Sequence, residues 1–150
     1  MSPTRDEWTL ATEDLQFQRL DALFGAFVRE EYEQFLADCA EDLVLNVRGS
    51  AGLATMVPRF QIPQWHRSSK QLAGGALRSS VCFILVREHV GIVVLTHMID
   101  RDGVSFRYET VNHCTLRGDR LAAWFCYPMN AADYEEAWGL PRKATPQLAH

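Results

Sequence analysis

Val104-Ser105-Phe106-Arg107-Tyr108-Glu109-Thr110-Val111-Asn112-His113-Cys114-Thr115-Leu116-Arg117 is the stretch on which the fold turns. Side chains of a β-strand alternate between its two faces. The even positions here are Val104, Phe106, Tyr108, Thr110, Asn112, Cys114 and Leu116. The odd ones are Ser105, Arg107, Glu109, Val111, His113, Thr115 and Arg117. The even set is the more apolar and faces inward. Asp102-Gly103 before this stretch and Gly118-Asp119 after it are hairpin turn signals. Strands are therefore expected over 77–87, 91–100, 104–117 and 120–127, an antiparallel meander ended by Pro128.

Ahead of the meander the period changes. Leu20, Leu23, Phe24 and Phe27, then Tyr32, Phe35, Leu36 and Cys39, recur at three- and four-residue steps across 12–39. That spacing is helical. Thr12 followed by Glu13 and Asp14 predicts an N-cap, and a break is expected over 29–31. Leu43 to Arg48 reads as a strand stopped by Gly49-Ser50. Residues 50–63, with Pro58 and Pro63, are expected as loop. A short helix over 64–73 should end at Gly74-Gly75, and 130–138 should form a closing helical turn. Residues 1–139 then make one domain and 140–150 a loose tail. Two helices, a strand, a helix and a meander give an α+β fold in which helices cover one face of a curled sheet.

Val81 to Val86 and Ile92 to Leu95 are apolar on both faces. One face meets the helices. A chain of 150 residues has little left to cover the other, which predicts a twofold homodimer.

Composition narrows the function. The chain is 47% apolar and 23% charged, with a net charge of −4 and its Lys and Arg scattered. Nucleic acid and anionic membrane surfaces call for a basic stripe that is missing here. No run is long enough to span a bilayer, and the acidic start lacks the layout of a signal peptide. Cys39, Cys82, Cys114 and Cys126 are widely spaced in apolar stretches, as expected of reduced core thiols in a cytoplasmic protein.

The chain resembles the SnoaL-like, polyketide-cyclase branch of the nuclear transport factor 2-like superfamily across about 14–139. The carriers are Phe35-Leu36-Ala37-Asp38-Cys39-Ala40-Glu41-Asp42-Leu43-Val44, Gly49 and Arg101-Asp102-Gly103. They continue through Leu116-Arg117-Gly118-Asp119-Arg120-Leu121, Trp124 and Ala132-Asp133-Tyr134-Glu135-Glu136-Ala137-Trp138. The resemblance implies a cone-shaped, curved antiparallel or mixed sheet wrapped around the N-terminal helices. It does not fix the activity, because the superfamily holds cyclases, isomerases, dehydratases, epoxide hydrolases and binders. Its ketosteroid isomerase branch places a carboxylate base where Asn46 stands and a protonated carboxylic acid where Asn112 stands. Both are amides here, which disfavours proton shuttling of that kind. An epoxide hydrolase would need an inward carboxylate, and Asp100 has outward parity.

Register taken from the resemblance turns Val93, Leu95, His97 and Ile99 inward. The concave wall is then expected to carry Asn46, His97, Tyr108, Thr110 and Asn112, with Phe106, Trp124 and Cys126. Mostly apolar walls with a few convergent polar groups suit a small-molecule site. His97 is the candidate acid or base, since imidazole titrates near neutrality. Tyr108, Asn112 and Asn46 could hold a carbonyl. The alternative is a buried histidine completing a structural network. Trp65 and His66 could roof the pocket or pack at the surface, and Arg48 could greet an anion at the mouth or form an ordinary salt bridge. No histidine spacing suggests a metal, and no cofactor motif is present. The expected function is a cofactor-independent cyclase, isomerase or dehydratase for a polyketide- or terpenoid-like molecule. The alternative is a non-catalytic binding or dimerisation module.

Overall fold

A computed structural model describes residues 5–49 and 53–139. The tail expected over 140–150 lies outside the described residues. Two helices, α1 (Arg5–Val28) and α2 (Tyr32–Ala37), lead into strands β1 (Val44–Val47) and β2 (Thr55–Pro58). After a 3-10 turn comes α3 (Ile62–Leu72), then β3 (Ala76–Arg87), β4 (Val90–Arg101), β5 (Val104–Arg117), β6 (Arg120–Pro128) and α4 (Ala131–Ala137).

α1 begins at Arg5, so Thr12 lies inside it rather than capping it. The break over 29–31 is where expected. Glu31 N–H bonds Ala26 O at 2.9 Å and Glu30 N–H bonds Phe27 O at 3.0 Å. This is a Schellman closure, with Glu30 in the left-handed region at φ 62.

The six strands form one mixed sheet in the order β2-β1-β6-β5-β4-β3. Only β1–β6 is parallel. β2 falls where loop was expected. Its one buried residue, Val57, anchors Thr55–Pro58 beside β1. The β4–β5 turn has Asp102 and Gly103 both at positive φ, the geometry that a two-residue hairpin requires. A register shift between Val81 and Phe83 bends β3, as bulges do.

Leu20, Leu23, Phe24 and Phe27 form the buried stripe of α1. They pack with Phe35 of α2 on the inner face of the sheet, where Leu45, Val47, Val93, Leu95, Cys114 and Trp124 join them. Trp124 meets Phe24 and Phe27 edge-on, each at 5.2 Å between ring centres. Gly91 lets α1 lie close on β4, because a Cβ there would sit 2.2 Å from Leu20 Cδ1 and the buried leucine would have to shift. At the other end Arg101 donates to Ala73 O and Ala137 O, both at 3.0 Å, tying the ends of α3 and α4 to β4.

The outer face of the sheet differs. Phe83, Leu85 and Tyr127 lie there, and each is exposed. Cys82, expected in the core, is also exposed at the β3 bulge, while Cys39 and Cys114 are buried and Cys126 is half-buried. All four thiols are free. Among the described residues no helix is long and apolar enough to cross a membrane.

Candidate functional site

A small cavity of about 60 Å³ opens between the helices and the inner face of the sheet. Phe27, Trp65, His66, Leu95, Trp124, Tyr134 and Trp138 supply most of its apolar wall. Its polar lining is Ser69, Ser79, His97, Tyr108, Thr110 and Asn112, with the Cys126 thiol.

Pairing of β4 with β5 sets the centre. His97 stands opposite Tyr108, and Leu95 opposite Thr110. His97 lies across from Ser79 on β3. Its Nδ1 is 2.7 Å from Ser79 Oγ, and its Nε2 is 2.8 Å from Thr110 Oγ1. The Tyr108 ring stacks on the imidazole at 4.7 Å, fixing its plane.

Beyond Thr110 the chain of bonds continues. An indole N–H can only donate. Trp124 Nε1 lies 2.8 Å from Asn112 Oδ1, and this fixes the amide orientation. Asn112 Nδ2 must then donate, to Thr110 Oγ1 at 3.0 Å and to Val93 O at 3.1 Å. Ser79, His97, Thr110, Asn112 and Trp124 therefore form one continuous network, half-buried at Ser79 and buried from His97 to Trp124.

Burial, and secondarily the nearby His66, pulls His97 from 6.5 down to about 3, so the ring is neutral at physiological pH. Burial also raises the Tyr108 hydroxyl and pushes the Cys126 thiol up to about 12, which keeps both protonated. No carboxylate, lysine or arginine is among the lining residues.

The other expected site residues divide. Trp65, His66, Thr110, Trp124 and Cys126 are among the residues that line the cavity. Three do not reach it. Asn46 stands beside Phe125 in the β1–β6 pairing, while Leu45 and Val47 pair with the inward Trp124 and Cys126. Period two therefore turns Asn46 to the outer face, where its amide donates to Val44 O at 3.3 Å. Arg48 is exposed, with its guanidinium 5.9 Å from the Phe125 ring. Phe106 keeps its inward parity but sits past the end of the cavity, under the Arg101 guanidinium at 4.7 Å. Asn112 is in place, yet its two amide hydrogens are already committed to protein acceptors.

Sequence reasoning missed Ser79, Tyr134, Trp138 and the partner of His66. Ser79 was signalled by alternation, since Leu77, Ser79 and Val81 share a face. Tyr32 Oη lies 2.6 Å from His66 Nδ1, a pairing between α2 and α3 that no local spacing announces.

No family model matches the sequence, and no curated protein does. Solved structures do match. One is TerC co-crystallised with polyporic acid, at a TM-score of 0.71 and 14% identity, covering 83% of this chain and 98% of that one. A nuclear transport factor 2-like protein of unknown function from Burkholderia pseudomallei gives 0.67 at 15% identity, covering 82% and 96%. An epoxide hydrolase of the LEH-like type from M. tuberculosis gives 0.62 at 14% identity, covering 84% and 90%. At these identities the likeness is one of fold. The curved, unclosed sheet around N-terminal helices is the nuclear transport factor 2-like, SnoaL-like fold.

Proposed function

We propose that the protein is a cofactor-free cyclase, isomerase or dehydratase for a compact, uncharged, hydrophobic molecule of polyketide or terpenoid character. The observation that carries this reading is the hydrogen-bonded chain from Ser79 through His97 to Thr110, laid along an otherwise apolar cavity. An imidazole between two hydroxyls can receive a proton at one nitrogen while releasing one from the other. The ring then never carries a full charge, which its burial opposes. Tyr108 holds the ring plane, and Asn112 holds Thr110 and Trp124 in place. A ligand would meet the chain at the Ser79 or Thr110 hydroxyl. Crystallisation of a protein of this fold with polyporic acid supports a small organic ligand.

The test begins with native mass spectrometry of the protein as purified, to recover a bound molecule, followed by turnover of that molecule. His97→Gln should lower turnover about 100-fold or more, the usual worth of a positioned acid–base group. Full turnover by both His97→Gln and His97→Ala overturns the role.

One observation favours a second reading, a binder without catalysis. Both nitrogens of His97 and both amide hydrogens of Asn112 already have partners inside the protein. Recovery of the ligand unchanged after prolonged incubation would select that reading.

We also propose a twofold homodimer through the outer face of the sheet, supported by the exposure of Phe83, Leu85 and Tyr127 there. The free thiols suit a cytoplasmic location.

A further inference from the structure

Most polar groups around the cavity are already engaged by the protein itself. Ser69, Ser79, Thr110, Asn112 and both histidines are hydrogen-bonded to protein partners. One corner differs. Tyr108, Tyr134 and Trp138 all line the cavity and form one aromatic group. Tyr134 meets Tyr108 edge-on at 5.3 Å, and Trp138 lies 6.3 Å from each ring. Both tyrosines are buried, yet neither hydroxyl meets a described residue within hydrogen-bond geometry. Trp138 Nε1 is sealed from solvent and, among the described residues, also has no acceptor. Its N–H lies close enough to the Tyr108 oxygen to favour the ionised phenol, against the larger effect of burial, but closes no bond of ordinary geometry.

Three donor hydrogens thus stand together without an acceptor. Burial keeps both hydroxyls protonated and so available as donors. An indole N–H can do nothing but donate. Buried donors left without acceptors are costly, and native proteins keep few of them. The group that satisfies this corner is an acceptor with two lone pairs and no charge, because neutral phenols supply no counter-ion. A carbonyl oxygen has that form.

We propose that Tyr108 and Tyr134 are ligand-binding residues whose hydroxyls hold the carbonyl oxygen of a neutral ketone, with Trp138 as the positioning residue behind Tyr108. The inference rests on the reading of the cavity as a site for small uncharged molecules, and it deepens that reading by naming the group recognised. A carbonyl bonded to the Tyr108 proton makes the phenolic oxygen a better acceptor, and this draws the Trp138 N–H into its missing bond. No proton changes owner and no charge forms. The apolar part of the ligand lies along the rest of the cavity, against Phe27, Trp65 and Leu95.

The test uses the full chain labelled with 15N at tryptophan. Its probes are cyclohexanone, labelled with 13C at the carbonyl, and methylenecyclohexane, which has nearly the same shape and no oxygen. Tyr108→Phe and Tyr134→Phe should each weaken cyclohexanone binding about tenfold, the worth of one hydrogen bond, and leave methylenecyclohexane binding unchanged. Both variants should unfold within about 2 °C of the wild type, because no protein partner is lost. The C=O stretch of cyclohexanone bound to the wild type should lie below its value in hexane, and should rise towards that value in the double variant. In proton–nitrogen spectra the Trp138 indole resonance should move downfield with cyclohexanone and not with the hydrocarbon, a response that a merely packed indole would not give. An indole that stays unmoved overturns the role of Trp138. A C=O stretch at the hexane value in the wild type, cyclohexanone binding that neither substitution weakens, or marked loss of stability in both variants overturns the carbonyl seat and leaves the apolar cavity standing. Binding of neither probe overturns both readings.

Discussion

Trp124 and Asn112 make the most exacting test of the buried network, because each leaves the other without a partner. Asn112 is fully buried and Trp124 is 1% exposed. In Asn112→Ala the indole N–H loses its acceptor at 2.8 Å, and Val93 O and Thr110 Oγ1 each lose a donor. A buried donor left unsatisfied costs about 1–3 kcal/mol, and the space left by the amide adds about 1 kcal/mol. The expected loss is about 3 kcal/mol, a fall in Tm of about 6–12 °C for a chain of this size. Trp124→Phe removes the N–H and part of a ring that meets Phe24, Phe27 and Phe35. It strands Asn112 Oδ1 and should cost about 2–3 kcal/mol. In the double variant neither orphan exists, so the combined cost should fall short of the sum by about 1–2 kcal/mol. Urea unfolding followed by far-ultraviolet circular dichroism measures all three variants. An Asn112→Ala loss below about 1 kcal/mol, or additivity within about 0.5 kcal/mol, would show that the network stabilises nothing.

Other outcomes follow from single features. Gly91→Ala places a methyl against Leu20 Cδ1 and should cost about 1–3 kcal/mol in thermal unfolding; an unchanged Tm would refute the close crossing of α1 over β4. Leu85 is 62% exposed on the outer face, so Leu85→Glu should yield a folded monomer in light scattering where the wild type gives a dimer; equal masses would sink the dimer proposal. Stability should fall on acidification from about pH 6.5 towards 4, because the unfolded chain takes up protons at histidine that the folded chain refuses at His97 and His66. Lowered carboxylates such as Asp42 and Asp100 act in the same direction only below their ordinary value of 3.8. His97→Gln should therefore flatten the slope between pH 6.5 and 4, and an unaltered slope counts against a buried neutral ring.

The meander was legible in the sequence because β5 alternates, β3 and β4 carry continuous apolar runs, and the turns carry Asp102-Gly103 and Gly118. Alternation gave the face correctly for Tyr108, Thr110 and Asn112, but a face is not a depth. Phe106 shares their parity and still lies beyond the cavity, because period two says nothing of where along a strand the helices close over it. Asn46 shows the opposite error. Its register came from the resemblance, although Leu43, Leu45 and Val47 at two-residue steps already assigned the inner face of β1 to others. β2 escaped notice because four residues ending at a proline offer one buried side chain. The Tyr32–His66 pair was beyond reach for a different reason: it depends on how α2 and α3 dock, which is tertiary packing rather than periodicity.

The charge inventory of the cavity limits its chemistry more than the fold does. None of its lining residues is Asp, Glu, Lys or Arg, and both of its histidines are held neutral, at about 3 and about 4. An anionic or cationic ligand would enter without a counter-ion, at a cost of several kcal/mol. The ligand that fits is uncharged. The same argument limits the reaction, since a fully formed anion or imidazolium would lack a partner in that interior. Only steps that move a proton onto a neutral base while another leaves along a hydrogen-bonded path avoid the penalty. The two paths available are His97 between Ser79 and Thr110, and His66 backed by Tyr32. Each path ends at a half-buried hydroxyl, Ser79 in the first and Tyr32 in the second.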